Sequence, residues 1–284
     1  MSDDLPVKLR AWLEKAGYPF ELQAGRAFRQ AEWNVFHATR YTDPETNKLR
    51  EIDLDISWGP YLGFRKNDGM VSIHLVCECK QSQKPWVVFT SRDMDDARHR
   101  LPGHLAVGSH GSRALDHAVT MTWGSLSALV PNGRIGHGVI KAFAESSSGD
   151  PTAPFAALTG AITAATAFST QHYNTLLTRS TSGQINPTVW FGIYIPVVLF
   201  SGRLFEFYLD DSGNELLEER DRIHVVHGIR TDEDRIIVQI VSGGGLADFA
   251  NNARKDARII SEAILDDSRE LWKSLHPDAN FVFT

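Results

Sequence analysis

The sequence contains few cysteines and no long apolar run, and these two features argue against a disulfide-stabilised protein and against a membrane-spanning one. Cys77 and Cys79 are its only cysteines, two residues apart in a chain of 284. Both fall on one predicted strand, and the sequence has no other cysteine with which either could form a disulfide. This argues against a disulfide scaffold and favours a reducing compartment. The longest apolar stretch, 193–200, is interrupted by Pro196 and is too short to span a bilayer. Because no basic segment followed by an apolar one opens the chain, we expect no signal peptide, a cytoplasmic location and no membrane partner.

Positive charge is scarce overall but unevenly distributed. A net charge of −6 does not suggest a general polyanion binder. However, segment 8–50 holds eight Lys and Arg against five Asp and Glu, whereas segment 206–235 holds four against ten. The second segment accounts numerically for the whole negative net charge. The N-terminal half can therefore still carry a basic surface that binds nucleic acid.

Two common binding-site patterns are missing. His104, His110, His117 and His137 lack the close paired spacing of a zinc site. The glycine-rich stretch 242–245 lacks the lysine of a P-loop and the spaced glycines of a dinucleotide site. We therefore predict that this stretch is a strand-to-helix turn, although a phosphate cradle is the alternative.

The predicted elements of the N-terminal third alternate between helix and strand. Helices are predicted over 5–16 and 19–31. Period-two alternation and apolar runs predict four strands, over 33–38, 50–57, 71–80 and 86–90. Trp86 could stack on a base, but it begins an apolar strand and is better interpreted as a core residue.

The remainder is predicted to be a helical insertion followed by strands and a final helical segment. The insertion covers about 92–185, with helices near 113–119, 135–144 and 154–177. The four later strands cover 188–200 and 204–209, predicted as a hairpin, then 223–227 and 236–241. Helices over 246–265 and 268–275 close the chain. This order predicts a single α/β domain over 1–284 with a mixed central sheet flanked by helices.

Charged residues interrupt two otherwise apolar strands and form the strongest functional signal. On the first strand Asp53 and Asp55 alternate with apolar residues, and on the second Glu78 and Lys80 end the polar face. If these strands are neighbours, Asp53, Glu78 and Lys80 meet at one edge of a sheet. Charges at the ends of apolar strands are costly unless they are solvated, paired or bound to an ion.

This trio suits the hydrolysis of a phosphodiester. Two carboxylates supply the hard oxygen ligands that Mg²⁺ prefers, and the metal lowers the pKa of a bound water. Lys80 projects on the same face as Glu78 and could orient the attacking water or stabilise charge developing on phosphorus. The competing interpretation is that these charges form a solvated face of salt bridges. Asp55 is an alternative to Asp53 as the carboxylate that the first strand contributes to the site.

Together, Asp53 and the later Glu78-Cys79-Lys80 resemble the PD-(D/E)xK, or restriction-endonuclease-like, nuclease superfamily, in its Mrr-like and Holliday-junction-resolvase-like branches. The resemblance covers about 18–90 and includes a leading helix that carries Glu21. It implies a restriction-endonuclease-like core in which Asp53, Glu78 and the Cys79 backbone carbonyl bind Mg²⁺, with Mn²⁺ able to substitute. Lys80 would be the catalytic lysine and Glu21 an accessory acid, although Glu21 also suits the first turn of a helix for electrostatic reasons alone.

The resemblance implies a metal-dependent deoxyribonuclease in restriction, anti-phage defence or repair, with DNA as its partner. A homodimer is a possible assembly, because cutting both strands of a duplex commonly requires two active sites. A regulatory protein is a second possible partner. Two alternatives remain: a nuclease fold that binds or senses nucleic acid without cleaving it, and a hydrolase of another phosphate ester.

Overall fold

The computed structural model describes residues 4–59, 70–91, 105–108, 122–131, 133–143, 153–181, 190–228 and 235–275. These residues include four α-helices: α1 Leu5–Ala16, α2 Tyr18–Gln30, α3 Ala153–Thr181 and α4 Leu246–Leu275. They also include eleven strands: β1 Asn34–Thr42, β2 Leu49–Trp58, β3 Met70–Lys80, β4 Trp86–Ser91, β5 Leu105–Gly108, β6 Ile135–Lys141, β7 Trp190–Phe200, β8 Leu204–Leu209, β9 Glu215–Glu219, β10 Arg222–Gly228 and β11 Arg235–Ser242. The predicted α/β class is thus confirmed. The described helices include none that is long and apolar enough to cross a membrane.

All eleven strands belong to one mixed sheet. Ten of them follow the order β1-β2-β3-β7-β11-β10-β6-β4-β8-β9. The eleventh, β5, pairs with residues 191–194 of β7, whereas β11 pairs with residues 197–200. Strands β1, β2 and β3 form an antiparallel meander, and β3 then lies parallel to β7 over its full length. Side chains of β7 are buried on both faces of the sheet, which explains why the sequence 190–200 is almost wholly apolar.

Helices cover both faces of this sheet. On one face α2 and α4 pack through Phe28 and Phe249, whose rings meet edge to face at 6.0 Å. On the other face the alanine-rich α3 packs through Ala157, Ala161 and Ala164. Small side chains let α3 lie close to the sheet, which places it directly beside the polar ends of β2 and β3.

The region predicted as a helical insertion is only partly helical. The long helix near 154–177 is confirmed as α3, but segment 135–144 contains strand β6 instead of a helix. Gly136 and Gly138 are poor helix formers, and pairing with β4 and β10 stabilises the extended form of this segment. At Gly136 the strands approach so closely that a Cβ would lie 2.5 Å from a methyl group of Val88. The helix predicted near 113–119 lies outside the described residues.

Two other sequence predictions are wrong. Strands β7 and β8 do not form a hairpin, because four strands separate them and β8 pairs with β4 and β9. The last two predicted helices are one continuous helix, α4. The first error concerns the long-range order of strands, which local periodicity does not encode, whereas the second is a local error at two residues, 266 and 267.

Candidate active site

The backbone ladder between β2 and β3 ends at the predicted site. Pairing runs from Trp58 and Ile73 to Leu54 and Cys77, and stops there. Asp53 is the first residue of β2 beyond the end of that ladder. On the β1 side of Asp53, the residue opposite is Ala38, and this pair is missing from the β1–β2 register. Ala38 has a positive φ of 53°. Asp53 therefore lies at a local opening between strands that are otherwise tightly paired.

The Asp53 carboxylate fills part of this opening. Its Oδ2 atom accepts a hydrogen bond of 2.7 Å from the backbone N–H of Cys79. The N–H and C=O of one strand residue point toward the same edge, and the neighbouring residue Lys80 directs its own C=O to the β7 side, where Ser201 donates to it at 2.9 Å. The Cys79 carbonyl consequently faces the opening beside Asp53.

Glu78 and Lys80 lie together at the same opening. The Lys80 Nζ atom donates to Glu78 Oε1 at 2.5 Å, and the two side chains are 34% and 18% exposed, respectively. Helix α3 passes beside Glu78, since a Cβ at Gly160 would lie 3.7 Å from the carboxylate. The pair is partly shielded from water rather than fully solvated, unlike an ordinary surface salt bridge.

The electrostatics of the opening are those of crowded carboxylates. Burial raises the pKa of Asp53 from 3.8 to about 6, and the negative charges of Glu78 and Glu21 add to this, while the Cys79 N–H and Lys80 oppose it. Burial also raises the pKa of the Cys79 thiol well above its ordinary value. Since a neutral thiol is a poor nucleophile, the chemistry available here belongs to the oxygen ligands and Lys80.

The donor atoms fit a hard divalent cation. Within the described ranges, no three His, Cys, Asp or Glu side chains form a group that could hold a metal ion. The opening offers instead two carboxylates, from Asp53 and Glu78, and the Cys79 carbonyl. Mg²⁺ is commonly bound by one or two carboxylates and keeps several waters, so three oxygen donors are sufficient. A cation among them would also offset the repulsion that raises the pKa of Asp53.

Glu21 reaches the site from α2 and has a partner that the sequence analysis missed. Nδ1 of His37 donates to its Oε1 atom at 3.0 Å. The imidazole fits against α2 only because residue 25 is glycine, since a Cβ there would lie 2.7 Å from two ring atoms. A glycine inside a helix pattern was the available signal, because it costs helix stability and often has a packing reason.

Asp55, the competing carboxylate, is occupied elsewhere. Its Oδ1 atom lies 3.1 Å from Nδ1 of His74. The His74 ring stacks on Tyr194 at 4.7 Å, and Tyr194 is hydrogen-bonded to His172 of α3. Asp55 therefore belongs to a separate cluster between α3 and the sheet. The structure brings Asp53, Glu78 and Lys80 together and places Asp55 apart from them.

The weaker sequence signals have structural roles where the chain is described. Trp86 is 1% exposed and stacks on Phe200, which confirms it as a core residue. The stretch 242–245 is the predicted strand-to-helix turn, in which the N–H of Gly245 donates to Ser242 Oγ at 3.2 Å. His137 is exposed on β6, and His104, His110 and His117 lie outside the described residues.

Comparisons of the chain with protein-family models, with curated proteins and with solved structures found no match.

Proposed function

We propose that the protein is a metal-dependent nuclease that hydrolyses DNA phosphodiester bonds. The observation that carries the proposal is the position of Asp53, Glu78 and Lys80 at the point where the β2–β3 ladder opens. There the Asp53 carboxylate accepts a hydrogen bond from the Cys79 N–H, and the Glu78 carboxylate accepts one from the Lys80 ammonium. Two carboxylates and a cation gathered at one partly buried opening are costly for folding alone, which favours a catalytic role.

Each residue has a distinct task in this proposal. Asp53, Glu78 and the Cys79 carbonyl would bind a divalent metal, Mg²⁺ or Mn²⁺, which supplies Lewis-acid polarisation of the phosphate and activation of water. The Cys79 N–H fixes the orientation of the Asp53 carboxylate. Lys80 presents its ammonium to the attacking water or to a nonbridging phosphate oxygen, where negative charge develops. Glu21, oriented by His37, adds a further acceptor beside Asp53.

The direct test is incubation of the purified protein with supercoiled plasmid and with linear DNA in Mg²⁺, Mn²⁺ or EDTA. Nicking or degradation that requires the metal and disappears in Glu78→Ala supports the proposal. The matched variant Glu45→Ala, in the exposed turn after β1, controls for loss of one carboxylate. A folded protein that binds DNA but leaves it intact in every metal would instead indicate a binding module.

A further inference from the structure

A groove of about 830 Å³ lies beside the proposed catalytic opening, between the β1–β2 end of the sheet and α3. Its sheet side is formed by Arg40, Tyr41 and Thr42, and its helix side includes Gln171 and Thr175. Among the described residues that line it there is no carboxylate, and Arg40 is the one charged residue. In a chain with a net charge of −6, this lining favours an anionic or polar ligand.

Two elements, β1 and α3, run from the catalytic opening to the groove. On β1, Arg40 follows Ala38, whose position is opposite Asp53, by two residues or about 7 Å. On α3, Ala167 lines the groove two helical turns beyond Gly160, the residue beside Glu78, which corresponds to about 10 Å. Tyr41 joins the two regions, because it lines the groove and lies near Glu78. Burial raises the pKa of its hydroxyl, and the negative charge of Glu78 adds to this.

The polar groups in the groove suit the backbone of a nucleic acid. The guanidinium of Arg40 is exposed and makes no ion pair or hydrogen bond with a described residue, not even with Glu51 directly across the strand pair. Phosphate oxygens accept hydrogen bonds, so the donors of the groove are the groups that matter. Thr170 and Thr175 donate their hydroxyl protons to carbonyls of α3. The donors that the groove offers to phosphate include the guanidinium of Arg40 and the side-chain amide of Gln171, and both residue types are typical contacts of the backbone.

The size of the groove indicates one strand rather than a duplex. Its volume is that of a pocket for a drug-sized ligand. Ala167 to Thr175 spans about 12 Å of helix axis, which matches about three nucleotides at the rise of one strand. Tyr41, the aromatic residue among the described lining residues, is only 4% exposed and packs against Phe168, so its ring is not free to stack on a base. Contacts there would be made to the backbone and would be insensitive to sequence.

We infer that this groove binds the sugar-phosphate backbone of a single DNA strand that continues from the scissile phosphate. The inference rests on the proposed function and specifies its substrate: a strand that is single, or separated from its complement, next to the bond that is cut. Arg40 is a phosphate-binding residue, and the polar face of α3 guides the strand.

Binding in EDTA, where cleavage cannot occur, tests this inference. The fluorescence anisotropy of a labelled single-stranded oligonucleotide and of its duplex is measured against salt concentration. Arg40→Ala is expected to weaken single-strand binding roughly tenfold and to lower the slope of log affinity against log salt by about one. Gln171→Glu, which places a carboxylate in the groove, is expected to weaken it similarly.

Two variants with the same charge changes lie away from the groove and serve as controls. Arg258→Ala removes an exposed arginine of α4, on the opposite side of the sheet, and Gln30→Glu adds a carboxylate at the exposed end of α2. If the groove variants bind like these controls while the native protein cleaves DNA, the groove inference is wrong and the nuclease proposal stands. A preference for the duplex that both groove variants reduce would overturn the single-strand assignment. A native protein that neither binds nor cleaves DNA would overturn both.

Discussion

The backbone N–H of Cys79 donates to Oδ2 of Asp53 at 2.7 Å, where the hydrogen-bond ladder between their strands has ended. A side-chain carboxylate thus takes a donor that a backbone carbonyl would take in a continuous ladder. This single bond fixes the Asp53 carboxylate and directs the Cys79 carbonyl into the same opening. Glu78 and Lys80 flank Cys79 in sequence, so the end of β3 also carries the other two groups of the proposed site.

The buried charge of Asp53 is expected to destabilise the fold. Its pKa is raised from 3.8 to about 6, so the folded protein binds more protons than the unfolded chain between these pH values. The destabilisation is therefore present above about pH 6 and absent below about pH 4. Asp53→Asn keeps an acceptor for the Cys79 N–H, and in EDTA we expect it to raise the free energy of unfolding by about 2 kcal/mol near pH 8.

Urea denaturation of both proteins near pH 8 and near pH 4 measures this difference. The two proteins should be equally stable at the lower pH, where Asp53 is protonated. An Asn variant less stable than the native protein at the higher pH would contradict a raised pKa. Because metal binding needs the ionised carboxylate, protons compete with the metal for Asp53. The Mg²⁺ concentration needed for half-maximal cleavage by the native protein should therefore rise as the pH drops below about 6.

Lys80→Met is expected to separate catalysis from binding. Its side chain is 34% exposed, so the fold should tolerate the change, and loss of the ammonium should lower the cleavage rate about 100-fold or more. Affinity for DNA in EDTA should change little. Lys84→Met is the matched control, since the Lys84 ammonium donates to the backbone carbonyl of Phe143 instead of Glu78. Equal cleavage by both variants would remove Lys80 from the mechanism.

The space created by Gly25 should be necessary for the action of Glu21. Gly25→Ala places a Cβ 2.7 Å from the His37 ring, which must move away from the Glu21 carboxylate. We expect Gly25→Ala and His37→Ala to lower kcat by similar factors, of about 10-fold each, without comparable loss of DNA affinity.

Gly124→Ala provides the control for the added methyl group, because a Cβ at Gly124 meets no atom within 4 Å. Steady-state kinetics of the three variants compare the effects. If His37→Ala is as active as the native protein, the Glu21–His37 contact has no part in the reaction.

Asp256 should contribute strongly to stability rather than to catalysis. Its carboxylate, on α4, is 1% exposed and accepts hydrogen bonds from the backbone N–H groups of Ser127, Ala128 and Leu129. Asp256→Ala would leave these donors without their acceptor and should lower the free energy of unfolding by about 3 kcal/mol. Thermal or urea unfolding measures this, with the exposed Glu262→Ala expected to change it by less than about 0.5 kcal/mol.

Local patterns predicted the central strands and the residues at their ends. Alternation in 50–57 and 71–80 is a property of each strand alone, so Asp53, Glu78 and Lys80 could be found without knowing the rest of the sheet. The order of the other strands could not be found this way. Ser201 and Gly202 follow β7 as a hairpin turn would, yet the chain continues to a strand at the far side of the sheet.

The supporting contacts of the site were also beyond the sequence. The pairing of His37 with Glu21 depends on the clearance above Gly25. The resemblance already favoured Asp53, but the cluster of His74, Tyr194 and His172 that holds Asp55 apart from the site is visible only in the fold. Both are consequences of packing between elements that are distant in the chain. Segment 135–144 shows the same limit, because its pairing with β4 and β10, which makes it strand β6, is a long-range contact that its own sequence does not reveal.

The measurement that tests the central claim most directly is cleavage of one DNA substrate in Mg²⁺ by the native protein, Asp53→Asn and Asp55→Asn. The two variants make the same chemical change two residues apart on one strand. We expect Asp55→Asn to cleave within a few-fold of the native rate and Asp53→Asn to lose at least about 99% of it. Cleavage retained by Asp53→Asn, or cleavage lost only in Asp55→Asn, would contradict the proposed site.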